Sequence, residues 1–137
     1  MQTQTTIFEP DAFPNDWYGW CTNQISHIFV GLFAVFVLCI LAFFVIGEMP
    51  HKAAVYSVVL CGYVAFEVIA QGWRGLDTIE DTVFVTAYGA GGILAGFTEV
   101  EAGSTVLAVN IFGLLPFFTV AVLHLIFGSL ARWLGRV

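Results

Sequence analysis

Residues Ile28 to Ile46 contain no charged side chain, and this one run constrains the chain more than anything else in it. At 1.5 Å per residue a helix over it reaches roughly 28 Å, close to the hydrocarbon thickness of a bilayer. Lipid offers no hydrogen bonds to a backbone, so such a run has to satisfy its own amides as a helix. Three further apolar runs follow, over approximately Ala53 to Ala70, Thr82 to Phe97 and Ser104 to Leu130. The breaks between them, Gly47 to Lys52, Gln71 to Asp81 and Thr98 to Gly103, are short and polar. Short breaks make antiparallel neighbours, so the expected fold is all-α and polytopic, with about four antiparallel transmembrane helices. Composition agrees. Charged residues are 10% of the chain, against the ~25% a soluble surface requires.

The flanks fit the same reading. Residues 1–20 form a polar N-terminal tail ending in Trp17, Tyr18 and Trp20, amphipathic rings suited to the membrane interface, and 21–137 form the transmembrane domain. No positive segment and no small-residue cleavage site precede the first run, so a cleaved signal peptide is not expected. Pro116 should kink the last span near its middle. Arg132, Trp133 and Arg136 read as a C-terminal anchor whose arginines snorkel to the interface. With four crossings, Arg74, Arg132 and Arg136 share one side and Lys52 the other, which puts both termini in the cytoplasm.

Four Lys and Arg against ten Asp and Glu leave no basic patch, which argues against nucleic acid as a partner and against polybasic attachment to anionic lipid. Cys21, Cys39 and Cys61 have neither disulfide nor CxxC spacing and read as buried small hydrophobes.

The most informative polar residues surround the second connection. Glu67, Gln71 and Arg74 recur at i, i+4 and i+7, one face of a helix that continues past the membrane boundary. Glu67 can pair there with Gln71 or Arg74, and the guanidinium could hold an anionic head group. Asp77 to Glu80 fits a capping box, with Asp77 as N-cap and Glu80 reaching back. His27 can approach Glu67 from the first helix, because the hairpin puts both at one membrane side. The candidate cluster is therefore His27, Glu67, Gln71, Arg74, Asp77 and Asp81. His124 and Asn110 are expected to hydrogen-bond between helices. The histidines lack the spacing of a helical metal site, and no nucleophile stands beside a base, so neither a metal, a cofactor nor a catalytic residue is assigned. Gly89, Gly92 and Gly96 lie in a small-residue segment that reads as a packing face, since close backbone approach drives helix association in lipid.

In order along the chain, His27, Glu67, Gln71, Arg74, Asp77 or Asp81, and Gly89 with Gly92 resemble the pattern of the VanZ-like family of small membrane proteins, over roughly residues 23–97. Val85 stands where that pattern carries an Asn one turn after the Asp. The resemblance implies an antiparallel helical bundle in the cell envelope, with a lipid head-group or small-molecule site at the membrane surface. The residues themselves point first to a non-catalytic subunit of a larger membrane assembly, in a cell or a virus membrane. Its partners would be lipid and other subunits or copies of itself. A small channel, holin or transporter is the remaining alternative.

Overall fold

The computed structural model describes residues 16–97 and 110–135, and every regular element within them is helical. Helix α1 (Trp17–Ile46) starts where the Asp16 carboxylate accepts the Gly19 N–H, at 2.9 Å. It stops at Gly47, whose φ of 81° is the left-handed conformation that closes helices and suits glycine. Helix α2 (Lys52–Phe66) is capped by His51, whose ring nitrogen accepts the Ala53 N–H. It continues as a π-helical stretch, Glu67–Gln71, and ends at Gly72 with φ 70°. Gly75, with φ 67°, leads into α3 (Leu76–Thr82), which passes without a turn into a second π-helical stretch, Val83–Gly91, and then α4 (Gly92–Gly96). Helix α5 (Ile111–Trp133) follows its cap, Asn110.

Among the described residues, three helices are long and apolar enough to cross a membrane: Trp17–Ile46, Lys52–Gln71 and Ile111–Trp133. Large apolar side chains point outward along them, among them Phe29, Phe33, Phe44, Phe112 and Phe127. In water that surface would aggregate. In a bilayer it is solvated, and the chain is a multi-pass membrane protein.

The remaining helical run differs from its expected form. It begins at Leu76, six residues before Thr82, and is composed of segments of 7, 9 and 5 residues. Its threonines give a local cause. Thr82 Oγ1 donates to the Thr78 carbonyl and Thr86 Oγ1 to the Thr82 carbonyl, each at 2.7 Å. A hydroxyl competing for a helical carbonyl loosens the regular ladder at that turn. The expected turn over residues 98–103 and the start of the last span at Ser104 lie outside the described residues, as does the tail before Asp16. Pro116 sits in the second turn of α5 rather than near its middle.

The helices meet through a small apolar core. Val35 and Cys39 of α1, Val55 and Val59 of α2, Val85 and Ala90 of the second π stretch, and Ile93, Leu94 and Phe97 are all buried. The closest crossing joins α1 to the Val83–Gly91 stretch. A Cβ on Gly31 would collide with the Val85 carbonyl oxygen, and one on Gly89 would lie 2.5 Å from the Ile28 carbonyl oxygen. Both obstacles are backbone and cannot rotate away. Gly92 is under less constraint, since its Cβ would rest 3.4 Å from Phe117. Gly96 faces the Leu114 side chain, and Gly113 of α5 faces the Ala95 carbonyl. Of the cysteines, Cys39 is in the core, whereas Cys61 is exposed on the outer surface of α2, contrary to the expectation that it is buried.

Candidate functional site

Helix α3 places polar side chains on two of its faces, and each face organises a cluster against the N-terminal third of α1. Thirty residues give α1 a length of about 45 Å, well beyond the ~30 Å hydrocarbon core. Centring the core on the Ile28 to Ile46 run leaves the segment from Trp17 to His27 at head-group level. Both clusters pack against that segment of α1.

The first cluster joins α1, the end of α2 and α3. Glu67 is 2% exposed and Asp81 7%, so both carboxylates are withdrawn from water and need partners. Glu67 accepts from Gln71 Nε2 at 3.1 Å and from Thr78 Oγ1 at 3.4 Å. Asp81 accepts from Gln24 Nε2 at 2.8 Å, and His27 Nδ1 stands 3.2 Å from the same oxygen. Asn23 Nδ2 also lies 3.4 Å from His27 Nδ1. The buried Tyr63 hydroxyl lies beside the Glu67 carboxylate, within its electrostatic reach. Gln24 is fully buried, and its Oε1 has no partner among the described residues.

Of the six residues expected to cluster, His27, Glu67, Gln71 and Asp81 come together here. Arg74 does not bring its guanidinium: the side chain is exposed, and its backbone N–H donates to Thr78 Oγ1 at 3.0 Å. Gly72 redirects the chain between Gln71 and Arg74, so helical i+7 spacing does not extend that far. Asp77 is half-buried in the first turn of α3. The capping box does not form. The cap position is Gly75, without a side-chain hydrogen bond, and Glu80 turns to other partners.

Those partners form the second cluster. Glu80 accepts from the indole N–H of Trp20 at 3.0 Å and pairs with Arg132 at 3.5 Å and His124 at 3.4 Å. His124 also lies 3.2 Å from the Tyr88 hydroxyl. Arg132 stacks 4.0 Å over the Trp20 ring and is 6% exposed, so it does not snorkel outward as expected. A carboxylate offered within the bundle competes better for a guanidinium than the interface does. The Asn110 side chain caps α5 by accepting the Phe112 N–H, and its bond between helices is made by the backbone, whose N–H donates to the Gly96 carbonyl of α4 at 2.6 Å. Trp20, Gln24, Tyr63, Thr78 and Tyr88 escape a reading of the sequence because each is unremarkable alone. The available signal was Gln24 and His27 on one helical face.

The first cluster opens sideways. Between α1 and α2 lies a groove of about 590 Å³, walled by Val30, Phe33, Val37, Val58 and Gly62. His27, Tyr63 and Gln71 also line it, bringing the polar cluster into contact with an apolar slot. Aromatic rings crowd that region: His27 and Tyr63 have centroids 6.1 Å apart, as do Tyr63 and Phe66. Chemically, the arrangement can receive a molecule with one polar end and one apolar body. No protein-family model, curated protein or solved structure matches this chain.

Proposed function

We propose that the chain is a four-crossing membrane protein that binds an amphiphilic molecule laterally, in the groove between α1 and α2. The polar end lies against His27, Tyr63 and Gln71, and the apolar body lies along Val30, Phe33 and Val58. The observation that carries this reading is the meeting of a groove and a buried polar cluster in one place. The four crossings are Trp17–Ile46, Lys52–Gln71, the helical run from Leu76 to Gly96, and Ile111–Trp133, with both termini cytoplasmic. On this reading the VanZ-like resemblance falls on the cluster's own residues, His27, Glu67, Gln71 and Asp81.

The test is to fill the groove. A Cβ on Gly62 would meet nothing within 4 Å, so Gly62→Phe projects a ring into the slot without disturbing the fold. Protein purified in mild detergent should carry tightly held lipid, measured by mass spectrometry, and Gly62→Phe should lose it. Equal retention by the two proteins would refute the site.

A structural role in a larger membrane assembly is the second reading. Alongside the face of α5 that packs on the bundle, Ile111, Phe112, Leu115, Val122, Ile126 and Phe127 are exposed and open to another helix or to lipid. The particle mass in mild detergent separates these: a mass of one chain plus its micelle excludes the assembly.

A further inference from the structure

We infer that the amphiphile carries a cationic, ammonium-type head group, recognised by Glu67 and Asp81 behind an aromatic wall of His27, Tyr63 and Phe66. This deepens the amphiphile-binding reading and rests on it. The argument starts from what a bilayer does to selectivity. Lipid solvates an alkyl chain as well as the groove does, so apolar contact contributes little preference and the polar end must discriminate.

The polar end of this groove is built for positive charge. Two carboxylates, both more than nine-tenths buried, lie within electrostatic reach of each other. The contacts described for them are to amides, a hydroxyl and an imidazole, and Arg74 is exposed outside the cluster. The acceptors of this cluster are not all filled: fully buried Gln24 leaves Oε1 unpartnered beside Asp81, while the Tyr63 hydroxyl is turned to Glu67. An ammonium group supplies the N–H donors that these acceptors lack. The rings of Tyr63 and Phe66, at the groove's polar end, present π faces to which alkylammonium ions are attracted. A phosphate or carboxylate head group would meet like charge. The preferred sign is thus opposite to the one a guanidinium at Arg74 would have set.

The experiment compares dodecylamine, dodecanol and dodecanoate, three probes with one chain length and different head-group charge. The full chain, in a neutral maltoside detergent at about pH 8, where the amine and dodecanoate are both charged, is melted with each probe in turn. Dodecylamine should stabilise at concentrations about tenfold below dodecanol, the scale of one charge contact near a protein surface, and dodecanoate should not stabilise at all. Glu67→Gln combined with Asp81→Asn should bring the amine to the level of the alcohol. Stabilisation by dodecanoate equal to that by the amine overturns the cationic assignment. So does an amine preference that survives in the double variant. In either case the amphiphile site stands if Gly62→Phe abolishes the binding of every probe. Stabilisation by none of the three would refute the site along with its charge preference. If the double variant does not fold, the ranking on the parent protein decides alone.

Discussion

At the scale of single residues, Thr78 is the pivot of the first cluster. Its hydroxyl donates to Glu67 and accepts the Arg74 N–H, so it satisfies a buried carboxylate and the chain turn together. Thr78→Val keeps the shape and removes both bonds, and should cost about 1–2 kcal/mol in a detergent melt. Arg74→Ala, which deletes an exposed side chain and leaves the backbone donor, should fall within about 0.5 kcal/mol of the parent. If the order were reversed, the guanidinium would be a member of the cluster after all. In the second cluster, Glu80→Ala withdraws the carboxylate shared by Trp20, His124 and Arg132. Removing one side of a mostly buried ion pair leaves charge poorly compensated, and a loss of about 2 kcal/mol is expected, reduced from the fully buried case because Glu80 is partly exposed. An unchanged melt would show that Arg132 depends on other contacts.

Among the elements, the crossing of α1 over the Val83–Gly91 stretch is the joint that sets where α3 lies. Gly31 and Gly89 allow backbones to touch, and that contact fixes the height at which Asp81 meets Gln24 and His27. Gly31→Ala forces a methyl group against the Val85 carbonyl and should cost about 1–3 kcal/mol, as overpacking does. Gly62→Ala, in open space on α2, should be neutral or stabilising by up to about 1 kcal/mol, from helix propensity alone. A melt in which both substitutions behave alike would remove the crossing from its structural role. Gly92, with only an ordinary contact to Phe117, should accept alanine with little effect.

For the whole molecule, the distribution of polarity is inverted relative to a water-soluble protein. Among the described residues, the buried ionisable side chains gather between helices, whereas many phenylalanines, such as Phe29, Phe33, Phe44, Phe112 and Phe127, face out. The proposed four-crossing arrangement would put the 47–51 and 72–75 connections on opposite sides of the membrane. With the native cysteines replaced, Glu48→Cys and Arg74→Cys should therefore label from opposite faces of intact cells, with position 74 cytoplasmic. Labelling of both from one face would require one helix fewer between them and the four-crossing arrangement would be wrong.

The sequence alone determined that this chain lives in a membrane, because charge-free runs of spanning length have no other stable solvent. It also singled out Glu67, Gln71, His27 and Asp81, since side chains this polar are rare in such runs, and a helical turn brings Glu67 to Gln71. It could not show which residues from distant segments complete the cluster. Gln24 reaches Asp81, and Trp20 and Arg132 reach Glu80, across 57, 60 and 52 positions. Those contacts follow from how closely two glycines let α1 approach the loosened helix after α3. Local pattern carries no record of that distance. The same geometry decided that Glu80 is an ion-pair partner rather than a helix cap, and that His27, Tyr63 and Gln71 line the groove's polar end with Arg74 exposed outside it.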